Sequence, residues 1–524
     1  MKRRFPEGFW SKSALAKPSS LFQFCLLVTI FGGVISTISL FDWWFRKLHV
    51  VSPLFFYAVS FFLWSGIFRI VLNWYQLARI RDAAPKKFTE SLGTVAVFLT
   101  AAPGEPLSMF RKTFQALSRL EYPCNIYFLD GTGVPEFKSL ALEFGLMHLD
   151  MVGVEGAKAG KVNEALKKTN EDFVLVLDPD HLVFPDFLME VMVFFKDPTV
   201  GFVQVSQGYY NQYRSPIAQA AAEQTYLFYG PTQCYYGSNG GAIAIGANCM
   251  FRRTALASIG GHAHGLAEDL LTSIRLHAQG WKSIYHPVIV NRGLVPEDFD
   301  SFSKQQLKWS RGLFEVLFTE YPKLFGKLNM SSRWRYFNIG TFYLVGLRNF
   351  FFLLIPVGYF LFGWVAVNMS FSEFVIRSIP FAFFSLIIYA LSQRYLVDYS
   401  HERGVYWRGM VMKFACWPVY TYAFILTLLN KKIPYLPTSK QGTSKLPVFF
   451  WPLVVYLILL VGSFAYHIFN MEQTLSLQAF LTVQRQTLGM FSFSLVAFFQ
   501  TLLSIFLIFR SAQRSRMDAW EELE

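Results

Sequence analysis

The chain has 524 residues, 53% hydrophobic, 18% aromatic and only 16% charged. Soluble domains carry about a quarter charged residues, so an ordinary soluble protein and a disordered one are both excluded. Lys and Arg number 48 against 35 Asp and Glu, a formal net charge of +13, which suits cytosolic flanks of membrane spans. No basic helix or zinc-type spacing accompanies that charge, so nucleic acid is set aside as a partner. The five cysteines (Cys25, Cys124, Cys234, Cys249, Cys416) form no CxxC pair and read as reduced thiols.

Windows of about 20 apolar residues mark membrane spans. They fall near 21–41, 51–72, 337–363, 376–396, 446–468 and 489–509. Lys2, Arg3, Arg4, Lys12 and Lys17 precede the first span with no clear cleavage site, so it reads as a retained anchor whose N-terminus is inside. Arg79, Arg81, Lys86 and Lys87 follow the second span, again inside, while Arg46 and Lys47 fall outside, against the charge rule. Residues 88–335 are then cytosolic.

From 88 to about 300 the pattern becomes β then α, repeatedly. TVAVFL (94–99), NIYFL (125–129), FVLVL (173–177) and GFVQV (201–205) are near-continuous apolar strands, the mark of a covered, largely parallel sheet. In such sheets ligands bind beyond the carboxyl ends of strands, where Asp130 and the Asp178-Pro179-Asp180 turn lie. Two carboxylates one residue apart can present oxygens to a hard divalent cation, Mg²⁺ or Mn²⁺, that bridges to phosphate; Asp-Pro-Asp also simply opens a turn. Glu268-Asp269 opens an amphipathic helix, where acids also favour the helix dipole. In Gln305-Gln306-Leu307-Lys308-Trp309, followed by Ser310-Arg311-Gly312, the Trp suits stacking on a sugar or seating at a membrane interface.

Residues 409–430 are apolar enough for a span. Arg394, Arg403 and Arg408 precede them, Lys431, Lys432, Lys440 and Lys445 follow, and Lys413 and Pro418 interrupt them. Both flanks favour the same side, so an interfacial or re-entrant helix pair is expected. Six spans then leave both termini inside, and Arg510–Arg516 reads as a basic juxtamembrane tail.

This ordered set resembles the processive family 2 glycosyltransferases (cellulose, hyaluronan and chitin synthases and exopolysaccharide relatives) over about 94–445. The resemblance implies an α/β GT-A-like catalytic domain with a mostly parallel sheet, inserted between transmembrane helices. Its units are 1–87 with two spans, 88–300 the transferase domain, and 301–336 interfacial helices. Residues 337–524 then carry four spans, with 402–430 interfacial and 431–445 a gating-type loop. It implies a plasma- or inner-membrane enzyme that transfers sugars with inversion from a nucleotide-sugar, UDP-linked by expectation, to a growing glycan, and translocates the product with or without export partners. Asp130, Lys158, Asp178, Gln305, Lys308, Arg311, Thr438 and Lys440 would bind the donor. Asp180 with Asp178 would hold Mg²⁺ or Mn²⁺, and Asp269 would be the catalytic base. Trp309, Glu268 and Cys249 would meet the acceptor, Cys249 within the Asn248–Arg253 stretch that takes the place of an acceptor-side turn. Gln204, Asn211 and Asn163 match further motif positions. Leu129, Ala267 and Lys308 depart from the family's Asp, Thr and Arg; lysine keeps the charge but loses the bidentate fork. A transferase adding one sugar to a lipid or short acceptor is the alternative. A transporter without transferase activity would leave the acidic motifs without a role.

Overall fold

The computed structural model describes residues 12–15, 18–81, 92–431, 433, 447–471 and 477–521. The expected strands are present, and each apolar run alternates between two covered faces. Val95, Val97 and Leu99 pack on Phe110, Phe114 and Phe137 on one side, while Ala96 and Phe98 meet Val162 and Ala165 on the other. Each fully buried Val, Leu or Phe contributes about 1.5–3 kcal/mol, so double-sided burial explains why these strands lack polar alternation.

The sheet has seven strands: β1 (Val95–Ala101), β2 (Asn125–Asp130), β3 (Met147–Asp150), β4 (Phe173–Leu177), β5 (Val200–Val205), β6 (Cys249–Arg252) and β7 (Lys282–His286). Their order is β7-β5-β6-β4-β1-β2-β3, parallel except for β6, which is antiparallel to both β4 and β5. The fold is therefore the mostly parallel GT-A-like sheet expected. Cys249–Arg252 is a central strand and not a turn, which corrects the reading of 248–253. Cys249 and Phe251 enter one core and Met250 the other. The turn is made just before it by Asn248, at φ +57°.

A second, three-stranded sheet joins Leu182–Val183, Asn291–Gly293 and Gly208–Tyr209 at the end of the large sheet. Its central strand is tied onward by Arg292, whose Nη2 donates to Asp398 at 3.0 Å with both side chains buried.

Among the described residues six helices are long and apolar enough to cross a membrane: Ser20–Trp44, Pro53–Ala78, Met330–Phe362, Phe371–Tyr395, Val448–Asn470 and Thr487–Ala512. The chain is a multi-pass membrane protein. The Trp407–Ala415 and Trp417–Leu428 helices are bent 45° to each other. A buried cluster of Tyr226, Phe302, Phe314, Met412, Tyr420 and Leu507 joins this pair, the Phe299–Glu315 helix and the last span to the catalytic domain.

Candidate functional site

The site forms where β2, β4 and β6 meet their flanking turns. Asp130 ends β2; its Oδ1 accepts from the Thr132 N–H (2.8 Å) and hydroxyl (2.6 Å), and its Oδ2 meets His148 Nε2 at 2.9 Å. These contacts shape the turn at the strand's exit. Beneath it Lys161 donates to the Ala101 carbonyl, its pKa lowered by burial although Glu105 and Asp130 favour its charge.

Asp178 and Asp180 follow β4. The Asp180 carboxylate, 3% exposed, accepts from Leu294 N–H at 3.0 Å. His181 is buried beside it, with Nδ1 3.7 Å from Asp180 Oδ1 and no hydrogen bond to that nitrogen. Its Nε2 lies 2.7 Å from the Gln207 amide, whose other end lies 3.2 Å from Tyr229 OH. The ring lies flat against Gly293, where a side chain's Cβ would fall 2.5 Å from Nε2. Asp178, Asp180 and His181 offer ligand atoms within 4.8 Å of one another, a set that can hold a divalent metal. The buried Nδ1 without a hydrogen-bond partner fits the set once the Gln207 amide presents its oxygen to Nε2–H, which leaves the lone pair on Nδ1, and a buried polar atom without a partner is costly. His181 was missed in the sequence because Asp-x-Asp draws attention to its acids; its signal was a His directly after them.

Lys158 lies at the start of the Ala157–Lys168 helix, entered through Gly156 at φ +90° and Ala157 at φ +51°. Its ammonium donates to Asp178 Oδ1 and to the Gly246 carbonyl. Burial pushes the Asp178 pKa up, but Lys158 and His181 outweigh it and hold it below the usual range. Gly246, at φ +85°, faces Asp269: a Cβ there would lie 3.3 Å from Oδ2. Lys158 and Gly246 thus bridge the acidic turn to the opposite acid.

Asp269 stands in the first turn of the Glu268–Ala278 helix, its Oδ1 accepting from Leu270 N–H at 2.8 Å. Burial, then the like charge of Glu268, raise its pKa to about 7, against the pull of Lys308 and Lys158. Glu268 is buried beside it. Cys249 is 1% exposed under this floor and offers an acceptor no surface, which corrects its placement as an acceptor contact. Burial in the sheet raises its thiol pKa further.

The Phe299–Glu315 helix is capped by Asp298, which accepts from Ser301 N–H at 2.9 Å. Gln305 and Lys308 are half-buried, and Trp309 is 36% exposed. Gln306 points inward and accepts from Tyr420 OH at 2.9 Å. Arg311, expected at the diphosphate, is 3% exposed; it donates to Glu315 at 2.9 Å and to the Lys431 carbonyl at 3.2 Å. It braces the helix against the segment entering the 432–446 region. Gly312 lets the helix touch the turn that leads into Asp269, since a Cβ there would lie 2.9 Å from Ala267 Cβ and N. Thr438 and Lys440 lie outside the described residues.

The remaining motif amides act as braces. Gln204 donates to the carbonyls of Val205, Ala247 and Asn248 and accepts from Ile245 N–H at 3.0 Å, fixing the turn that carries Gly246. Asn163 holds the His262 backbone from both sides, at 2.7 and 2.8 Å. Asn211 does the same to Val295, at 2.8 and 2.9 Å.

Residues 173–508 match the family described as glycosyl transferase family group 2. The chain is 27% identical over 312 residues to a cellulose synthase catalytic subunit (UDP-forming) of Komagataeibacter sucrofermentans, covering 57% of this chain and 41% of that one. Over 381 residues it is 25% identical to the same subunit of Pseudomonas fluorescens, covering 71% and 51%. With the Xanthomonas axonopodis pv. citri subunit it shares 29% over 254 residues, covering 46% and 35%. The chain thus spans between about a third and half of these relatives' length. Among solved structures, a Pyrobaculum calidifontis mannosyltransferase in complex with GDP-Man and Mn²⁺ superposes with a TM-score of 0.47 and 16% identity, covering 72% of this chain and 99% of that one.

Proposed function

The chain belongs to the glycosyl transferase family group 2, and from that premise we propose that it is an inverting membrane glycosyltransferase that polymerises sugar from a nucleotide-sugar, UDP-linked in this reading, and passes the glycan across the membrane. The likeness to cellulose synthase catalytic subunits supports the polymerising activity. The observation that carries the reading is the bridge from Asp178 through Lys158 and Gly246 to Asp269. It sets a phosphate-side acidic turn opposite a carboxyl whose pKa, near 7, suits proton acceptance at neutral pH.

Asp178, Asp180 and His181 would hold Mg²⁺ or Mn²⁺, which when bound supplies positive charge against the leaving diphosphate. Lys158 and Lys308 add charge on the same side. Asp269 takes the proton from the acceptor hydroxyl as that oxygen attacks the anomeric carbon from the face opposite the diphosphate. Trp309, exposed on its helix, offers a ring face on which the terminal acceptor sugar stacks. Catalytic domain and termini face the cytosol in this reading, as the basic flanks favour.

Purified protein incubated with a panel of UDP- and GDP-sugars plus Mg²⁺ or Mn²⁺ tests it. A ladder of long glycans, abolished by Asp269→Asn, is the expected result. A single-sugar adduct on lipid would replace the polymerase reading by a monotransferase one, and transport without donor consumption would remove both.

A further inference from the structure

Among the membrane helices lies a cavity of about 630 Å³, and none of Asp130, Asp178, Asp180, Asp269, Lys308 and Trp309 lines it. Its wall is mostly aliphatic and aromatic. The charged and amide exceptions are Arg348, Asn349, Lys413 and Gln500, and no Asp or Glu lines it. Among the described residues the Arg348 guanidinium makes no hydrogen bond or ion pair. The Lys413 ammonium sits over the Phe342 ring, 4.1 Å from its centroid, and its charged neighbours are the like charges Arg69 and Arg348. Arg69 lies over the same ring at 5.8 Å, with its donors on the Asn338 carbonyl (3.0 Å) and Thr341 hydroxyl (2.9 Å). Two guanidinium groups and Lys413, whose pKa burial and those like charges lower, therefore gather where no carboxylate lines the cavity among the described residues. Such charges are costly in hydrocarbon unless an anion meets them.

The cavity is also polarised along its length. Lys413 stands on the Trp407–Ala415 helix, which is fastened to the catalytic domain by Gly409 N–H on Glu223 Oε2 at 2.8 Å. Trp44 and Trp364 line the opposite end, beside the bridge between Val50 and Val367. Lining positions run from Val345 to Tyr359 on one helix, a rise of ~21 Å at 1.5 Å per residue. A cationic end and a long apolar body fit an amphiphile. Free phosphate would leave the apolar part unfilled, and a polyhydroxylated glycan would find few hydrogen-bonding groups there.

We propose that this cavity binds one anionic phospholipid, its phosphate held by Arg348 and Lys413 and the first part of its acyl chains running along Phe352, Phe374 and Phe493, with the chain ends extending from the cavity into the bilayer. The site is separate from sugar transfer and independent of which sugar is used. Full-length protein in vesicles of phosphatidylcholine, with and without phosphatidylglycerol, tests it, with bound lipid read by native mass spectrometry after exchange into uncharged detergent. Wild-type protein should keep phosphatidylglycerol at about one per chain and not phosphatidylcholine. The pair Arg348→Gln and Lys413→Gln should weaken retention roughly thirtyfold, from two lost cation contacts. The charge-keeping pair Arg348→Lys and Lys413→Arg should retain it. Equal retention of both lipids by wild type overturns the proposal even where the Gln pair does not fold. Competition by soluble glycerol phosphate would show an anion site that needs no lipid. Unchanged lipid with a shortened glycan in the Gln pair would make the cavity a glycan conduit. Either result overturns it.

Discussion

The sharpest consequence of the site is a pH profile set by Asp269 and tunable from its neighbours. Its pKa, raised from 3.8 to about 7 by burial and then Glu268, leaves about a tenth of it ionised one unit below and about nine-tenths one unit above. Only the ionised form accepts a proton. The rate constant at low donor concentration, kcat/KM, should therefore fall about tenfold per pH unit below the midpoint and level off above it, since kcat/KM reports the free enzyme. The charged groups facing Asp269 are Glu268, Lys308 and Lys158. Glu268→Gln removes the like charge and should shift the midpoint down by about one unit. Lys308→Met removes a cation and should shift it up. Asp269→Asn should cost 10²–10⁴-fold, roughly the worth of a positioned base, while donor binding persists. Initial rates of radiolabelled sugar incorporation across the pH range measure all of this. A midpoint that Glu268→Gln and Lys308→Met leave in place would refute the assignment, as would full turnover by Asp269→Asn.

Three further outcomes follow from other contacts. His181→Ala removes the third ligand atom of the acidic turn and should raise the Mn²⁺ needed for half-maximal rate by roughly ten- to a hundredfold in a metal titration. Gly312→Ala puts a methyl 2.9 Å from Ala267 Cβ and N; overpacking of this kind costs about 1–3 kcal/mol, visible as a lower Tm together with reduced kcat, because the base-bearing turn must move. Arg292→Met takes the Arg292 partner from the buried Asp398 carboxylate, which keeps His401 at 2.7 Å and Ser400 at 3.0 Å, a loss of about 1.5–3 kcal/mol, which thermal unfolding and faster proteolysis near 398 should register.

The strands that could be read in the sequence were those buried on both faces, because FVLVL and its kin are unbroken apolar runs. β3, β6 and β7 escaped for physical reasons. Met147–Asp150 is an edge strand with exposed Met147 and Asp150, and Lys282–His286 is the other edge, so both mix polar with apolar residues. Cys249–Arg252 is short, and its antiparallel entry depends on pairing with two distant strands. The acids at strand exits were legible because their chemistry survives without coordinates. What each motif amide holds was not: Gln204, Asn163 and Asn211 spend their hydrogen bonds on backbone far away in sequence. Arg311 likewise read as a phosphate contact by type and spacing, yet its donors brace Lys431.

Lys158 is the element that makes these parts one device. With Asp269 ionised, Asp178, Asp180, Glu268 and Asp269 face Lys158 and Lys308, leaving two negative charges in excess, the charge of one divalent cation. In this structure Lys158 holds Asp178 while fixing the Gly246 carbonyl. Asp178 and Asp180 would hold the cation, which would supply the positive charge Asp178 now takes from Lys158, leaving Lys158, anchored on the Gly246 carbonyl, to meet the diphosphate. That exchange would also change the field at Asp269, since Lys158 is one of the two cations lowering its pKa. Gln204 fixes the Gly246 turn, and with it the carbonyl that anchors Lys158 opposite Asp178.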